Sequence, residues 1–149
     1  MLLPTRDKQF AFWMMRRKGA PNITIARMLG ISRQAVSRGL QLEDEKVGTV
    51  LRDMAIASQI SIERISPELG ILLGRSIPFG TAAIIFVSAK HGVQVWYEHD
   101  GDCGSCQRFT ECIELLRDYA SELGIEIRKT AHPTAMAEEL FAKLKEIMK

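Results

Sequence analysis

The sequence predicts a mainly α chain with a small α+β part: a trihelical N-terminal head, a linking helix and a C-terminal α+β body containing a β-hairpin. Three observations carry this expectation. Apolar side chains recur at spacings of three and four along Asp7 to Lys18 and again along Glu43 to Ser58, the periodicity of amphipathic helices. From Thr81 the pattern becomes a β-branched apolar run and then an alternation, which reads as strand. Charge is also unevenly divided. Residues 1–42 hold eight basic side chains against Asp7 alone, whereas the whole chain of 149 residues is only +2, so the remainder is net acidic. The expected units are 1–42, 43–60 and 61–149.

Phe10, Trp13, Met14 and Arg17 share one side of the first helix, and Gly19-Ala20-Pro21 ends it because glycine and proline both disfavour continuation. Asn22 suits the N-cap of a short helix over Ile23 to Leu29. Gly30 stops that helix, and Ser32 caps a third that starts at Arg33. Ala26, Gly30 and Val36 form an Ala-x3-Gly-x5-Val frame with Ile25, Leu29 and Ile31 apolar around it. A small residue at Ala26 allows a close helix crossing, Gly30 supplies a positive φ, and Val36 turns back into the core. Arg33, Gln34, Ser37 and Arg38 are left facing outward, and Gly39 marks a kink with Leu40 or Leu42 filling the gap.

The string Ile25-Ala-Arg-Met-Leu-Gly-Ile-Ser-Arg-Gln-Ala-Val-Ser-Arg38 resembles the DNA-binding helix-turn-helix of prokaryotic and archaeal transcription regulators, over residues 7–42. It departs from that pattern at Gly39, where such motifs usually carry an apolar residue. The order of parts is similar to archaeal regulators of the Tfx kind. The resemblance implies that the third helix enters the major groove of double-stranded DNA with its N-terminal residues toward the bases. Gln34 suits adenine, Arg33 or Arg38 suits guanine, and Ser37 suits a base or a phosphate. Arg16, Arg17, Lys18 and Arg27 suit phosphates, which position a protein and make its affinity salt-dependent.

Val47, Val50, Leu51, Met54 and Ala57 make one face of the linking helix, open to packing on its own chain or against a twin subunit. Regulators of this type are commonly two-fold dimers, because one module reads too few base pairs, so a homodimer with half-sites ~34 Å apart is expected. Beyond Ile60, Pro67, Gly70, Gly74, Pro78 and Gly80 punctuate short apolar pieces. Thr81 to Ala89 and Val93 to Glu98 then form the hairpin around Lys90-His91-Gly92. A helix over Gln107 to Leu123, a short strand at Ile125 to Ile127 and a last amphipathic helix over Thr134 to Met148 complete the body.

The three cysteines fall in Cys103-Gly-Ser-Cys106-Gln-Arg-Phe-Thr-Glu-Cys112. Such clustering favours a metal or redox role over a disulfide framework. The Cys-x2-Cys-x5-Cys spacing resembles the last three ligands of the 4Fe-4S cluster in WhiB-type regulators and in the endonuclease III family, whose fourth cysteine has no counterpart here. The resemblance implies a 4Fe-4S cluster on Cys103, Cys106 and Cys112, with the remaining position open to His99, Asp102, a twin subunit, water or a small ligand. Zinc is the alternative, with His99 completing a Cys3His set, and redox-active thiols are a third. His91 and His132 read as solvated, and Trp13, Trp96 and the seven methionines as core.

An enzyme is not expected. A zinc deaminase pairs its Cys-x2-Cys with an upstream His-x-Glu, and neither that pair, a phosphate-cradling glycine loop nor a nucleophilic serine motif occurs. No apolar run approaches the roughly 20 residues of a membrane helix, and the N-terminus lacks the layout of a signal peptide, so a cytoplasmic chain without a membrane partner is expected. The sequence therefore points to a regulator that binds DNA and senses redox state, oxygen or iron. Two alternatives stand beside it: a regulator with structural zinc and a small-molecule ligand near 67–80, and an interaction or electron-transfer module that does not bind DNA.

Overall fold

The computed structural model describes residues 8–98, 109–127 and 132–148. Among these lie α1 (Lys8–Arg17), α2 (Asn22–Leu29), α3 (Arg33–Ala57), β1 (Ile60–Ser66), β2 (Ile71–Ser76), β3 (Thr81–Ser88), β4 (Gly92–Tyr97), α4 (Phe109–Leu123) and α5 (Pro133–Ile147). The four strands form one antiparallel meander in chain order.

Side-chain alternation makes this sheet the middle layer of three. Successive residues of a strand point to opposite faces, and here each face meets helices. Leu72, Ala83, Ile85, Val87 and Val93 join Trp13, Val36, Leu40, Val47 and Leu51 of the first three helices. Their neighbours Ile71, Leu73, Ile84, Phe86 and Trp96 join Leu116, Tyr119, Leu140, Phe141 and Leu144 of the last two. The unbroken apolar run of β3 follows, because a strand covered on both faces has no solvated side to keep polar.

This architecture corrects the expected fold class. The first three helices are not a trihelical unit followed by a separate α+β domain: their core runs in sequence from Phe10 to Val93 and includes one whole face of the sheet. Gly39 does not interrupt the helix either, since α3 runs unbroken through it for 25 residues. Gly39 is buried, and a Cβ there would come within 2.8 Å of the Phe12 ring, so the glycine allows α1 to cross α3 closely. Most of the face expected of a linking helix is spent inside the chain: Val47 and Leu51 are fully buried, Val50 and Met54 are partly buried against the same core, and Ala57 is exposed. Burial of Val47 and of Leu51 contributes about 1.5–3 kcal/mol each.

The punctuated segment 60–80 forms two strands, so the hairpin is half of a larger sheet. Gly74 is needed where β2 passes β1, as a Cβ would lie 2.3 Å from the Ser61 carbonyl oxygen. Trp13 ties α1 to the β1–β2 turn. Its indole Nε1 donates to the Pro67 carbonyl at 2.9 Å, and its ring lies against Gly70, whose φ of +70° also favours glycine. Residues 125–127 are not a strand. Pro21, with Asn22 as the first helical residue, occupies the N-cap of α2.

Candidate nucleic-acid interface

The connection between α2 and α3 follows from three residues. Gly30 adopts the left-handed conformation (φ 65°, ψ 36°) and donates its N–H to the Ala26 carbonyl, closing α2 as a glycine C-cap does. Ile31 N–H donates to the same carbonyl at 3.1 Å. Ser32 is the N-cap of α3, its hydroxyl accepting from the Ala35 N–H at 3.1 Å. Beneath the turn, Ile25, Ala26 and Val36 are buried against α1.

Above it, the outer side of α3 presents Arg33, Gln34, Ser37 and Arg38, all exposed. Positions 33 and 37, and 34 and 38, are one turn apart, so the four form a single strip. None has a hydrogen-bond or ion-pair partner among the described residues. Arg27 on α2 is exposed, and so is Lys18 beyond α1, which lies against Gly124 at the end of α4 rather than against the strip. Met28, expected in the core, is 68% exposed on the outer side of α2; nothing in the helical spacing distinguished it from a core methionine.

Arg17 is corrected from phosphate contact to internal clamp. Its side chain is fully buried, with Nη1 donating to the Val87 carbonyl at 2.6 Å and Nη2 to Glu122 Oε1 at 2.8 Å. The guanidinium lies 4.3 Å from the Trp13 ring centroid. Burial lowers its pKa, against the opposing pull of Tyr119 and Glu122. Glu122 also accepts from Ser88 Oγ at 2.7 Å and from the Ala89 N–H. One carboxylate thus joins α4 to β3 and α1. Arg16 is half-exposed and held by both oxygens of Asp44, which leaves it less available than Arg33 or Arg38.

His91, expected to be solvated, is half-buried with Nε2 2.7 Å from Asp118 Oδ2. His132 is exposed at the N-cap of α5. His99, Cys103 and Cys106 lie outside the described residues, as does Asp102. Cys112 stands in the first turn of α4, half-buried against the second core. Among the described residues no three His, Cys, Asp or Glu side chains are grouped closely enough to hold a metal ion. Among them, too, no helix is long and apolar enough to cross a membrane.

No family model, curated protein or solved structure matches the chain.

Proposed function

We propose that the chain is a transcription regulator that binds double-stranded DNA through the first turns of α3, as a homodimer. The observation that carries this reading is the exposed strip of Arg33, Gln34, Ser37 and Arg38, unpartnered among the described residues and braced from below by Val36 and Leu40. Bidentate side chains at the start of a supported helix suit base edges in a major groove, and Arg27 and Lys18 suit the flanking phosphates. Because most of the stripe on α3 is spent within one chain, the twin subunit would meet another surface.

The regulatory part of the reading rests on Cys103, Cys106 and Cys112 as holders of a 4Fe-4S cluster, bound in the cytoplasm, with zinc and a Cys3His set including His99 as the alternative. The half-buried position of Cys112 at the start of α4 suits a ligand to either group. The cluster would supply one-electron redox chemistry. The residues of α4 around Cys112 would carry its state toward the second core.

DNA binding is tested by fluorescence anisotropy with duplex DNA across a salt series. Wild-type affinity should fall steeply with salt. The combined Arg33→Ala, Gln34→Ala and Arg38→Ala variant should lose at least about tenfold while keeping its melting temperature, the usual behaviour of exposed substitutions. Unchanged binding by that variant sinks the reading and favours a module that docks protein. Anaerobic purification with iron, sulfide and zinc analysis tests the cofactor. About four irons per chain identify the cluster, and one zinc in a colourless protein identifies the alternative.

A further inference from the structure

We infer that a cleft on the α4–α5 side of the sheet binds a small organic cation, an ammonium or similar group on an apolar or aromatic body. The cleft opens between the adjoining ends of β3 and β4 and the N-terminal half of α5, with a volume of about 400 Å³, a size typical of small-molecule sites. Its floor is apolar, made by Ile84, Trp96 and Phe141, each mostly buried yet still reached by solvent. The Trp96 and Phe141 ring centroids stand 6.3 Å apart with the rings inclined by 50°, so two aromatic side chains meet at the floor. Glu98 and Glu138 line its sides together with Thr81, Thr134 and Ala137. Both are exposed, and neither carboxylate has a hydrogen-bond or ion-pair partner among the described residues. No lysine or arginine among those residues lines the cleft.

This combination selects by charge. A cation over an indole face is attracted by the ring quadrupole, the more so where water is partly excluded, and here two carboxylates add to that field. An anion meets the same carboxylates as repulsion. Opposing this are the N-terminus of α5, whose dipole amounts to about half a positive charge and fades beyond the first turn, and Arg75 of β2, which is turned to the Gly80 carbonyl outside the lining. Thr134 of that first turn also lines the cleft, but half a positive charge there is outweighed by the two full negative charges of the lining. A neutral molecule of the same shape gains the apolar floor and the threonine hydroxyls but not the pull of the two carboxylates. None of these residues belongs to the strip on α3, so the inference stands or falls independently of DNA binding.

The test is isothermal titration of the full chain with benzyltrimethylammonium, with benzyl alcohol and phenylacetate as neutral and anionic probes of similar ring size. The cation should bind saturably at one site, and both other probes at least about tenfold more weakly. The Glu98→Gln/Glu138→Gln variant should lose at least about tenfold in affinity for the cation at an unchanged melting temperature. Removing two carboxylates elsewhere, as Glu68→Gln/Glu126→Gln, should leave it intact. The inference is overturned by no binding of the cation at millimolar concentration. It is equally overturned by benzyl alcohol or phenylacetate binding as tightly, or by wild-type affinity in the Glu98/Glu138 variant.

Discussion

The end of α1 and the start of α3 carry the same chemistry to opposite destinations. Arg16 and Arg17 close one basic helix, and Arg33 and Arg38 open the other. Yet Arg17 is buried against Glu122 and Arg16 is held by Asp44, while Arg33 and Arg38 stand exposed. The difference lies in what each helix rests on. The C-terminal end of α1 runs over β3 and meets α4, so its last arginine passes between layers, where burial demands a carboxylate partner. The first turns of α3 lie at the outer edge of the same layer, with Val36, Gly39 and Leu40 turned inward and the arginines outward. A basic run is therefore not a single electrostatic footprint, and position in the layer decides which charges remain available to a partner.

Breaking the buried pair tests this most severely. Arg17→Ala leaves Glu122 without its cation and should lower the unfolding free energy by about 3–5 kcal/mol, the usual cost of removing one partner of a buried pair. Arg17→Met keeps the apolar stem over Trp13 and should recover part of that loss. In urea denaturation, Arg17→Met with Glu122→Gln should then be less destabilising than the two single changes summed, by about 0.5–3 kcal/mol of coupling. If Arg17→Ala costs no more than an exposed Arg33→Ala, the contrast between the two helix ends fails.

The second test moves the crossing that turns α1 inward. Gly39→Ala gains helix propensity, about 1 kcal/mol, but its methyl would lie 2.8 Å from the buried Phe12 ring. Overpacking of this kind costs about 1–3 kcal/mol, so a net loss of about 1 kcal/mol is expected by thermal or urea unfolding. Phe12→Leu combined with Gly39→Ala should relieve the clash and be more stable than Gly39→Ala alone. A raised melting temperature in the single variant would mean that α1 and α3 are not held this closely.

What the sequence made legible follows the range of the interactions. The α2–α3 turn was readable because its signals, Gly30 and Ser32, act within a few residues of themselves. The β3–β4 hairpin was readable because an apolar run rich in β-branched residues in β3 and an alternation in β4 flank the Lys90-His91-Gly92 turn. β1 and β2 were not. Gly70 and Gly74 break the apolar pattern of that segment, and Ser61 to Arg64 are exposed along an edge strand with a register shift. Gly39 carried a local helix-breaking signal whose cause, the Phe12 ring, lies on another helix. The fate of Arg17 was equally hidden, because Glu122 is 105 residues away. The outward strip of Arg33, Gln34, Ser37 and Arg38 was accessible from helical spacing. The cleft at Trp96 and Phe141 joins segments that no spacing relates, and it emerges only once the sheet and α5 are packed.

The smallest expected effect sharpens the comparison within a single helix. Asp118 and Glu122 are one turn apart on α4, and both reach back to the β3–β4 region. Glu122 meets a buried arginine, whereas Asp118 meets His91 and the exposed Lys90 near the surface. The His91 hydrogen bond holds the Asp118 carboxyl below the ordinary aspartate range, partly opposed by desolvation and reinforced by Lys90. A carboxylate depressed in this way adds stability above its unfolded pKa, and that stability is lost as pH falls through the folded value. Asp118→Asn should therefore cost only about 0.5 kcal/mol at neutral pH, as for a largely solvated pair. The difference from wild type should shrink with added salt and vanish well below pH ~4, where the unfolded aspartate titrates. Denaturant unfolding at neutral and acidic pH, with and without salt, measures all three. A cost approaching that of Arg17→Ala, or one insensitive to both acid and salt, would place Asp118 in the interior clamp with Glu122 and erase the distinction between the buried and surface charges of α4.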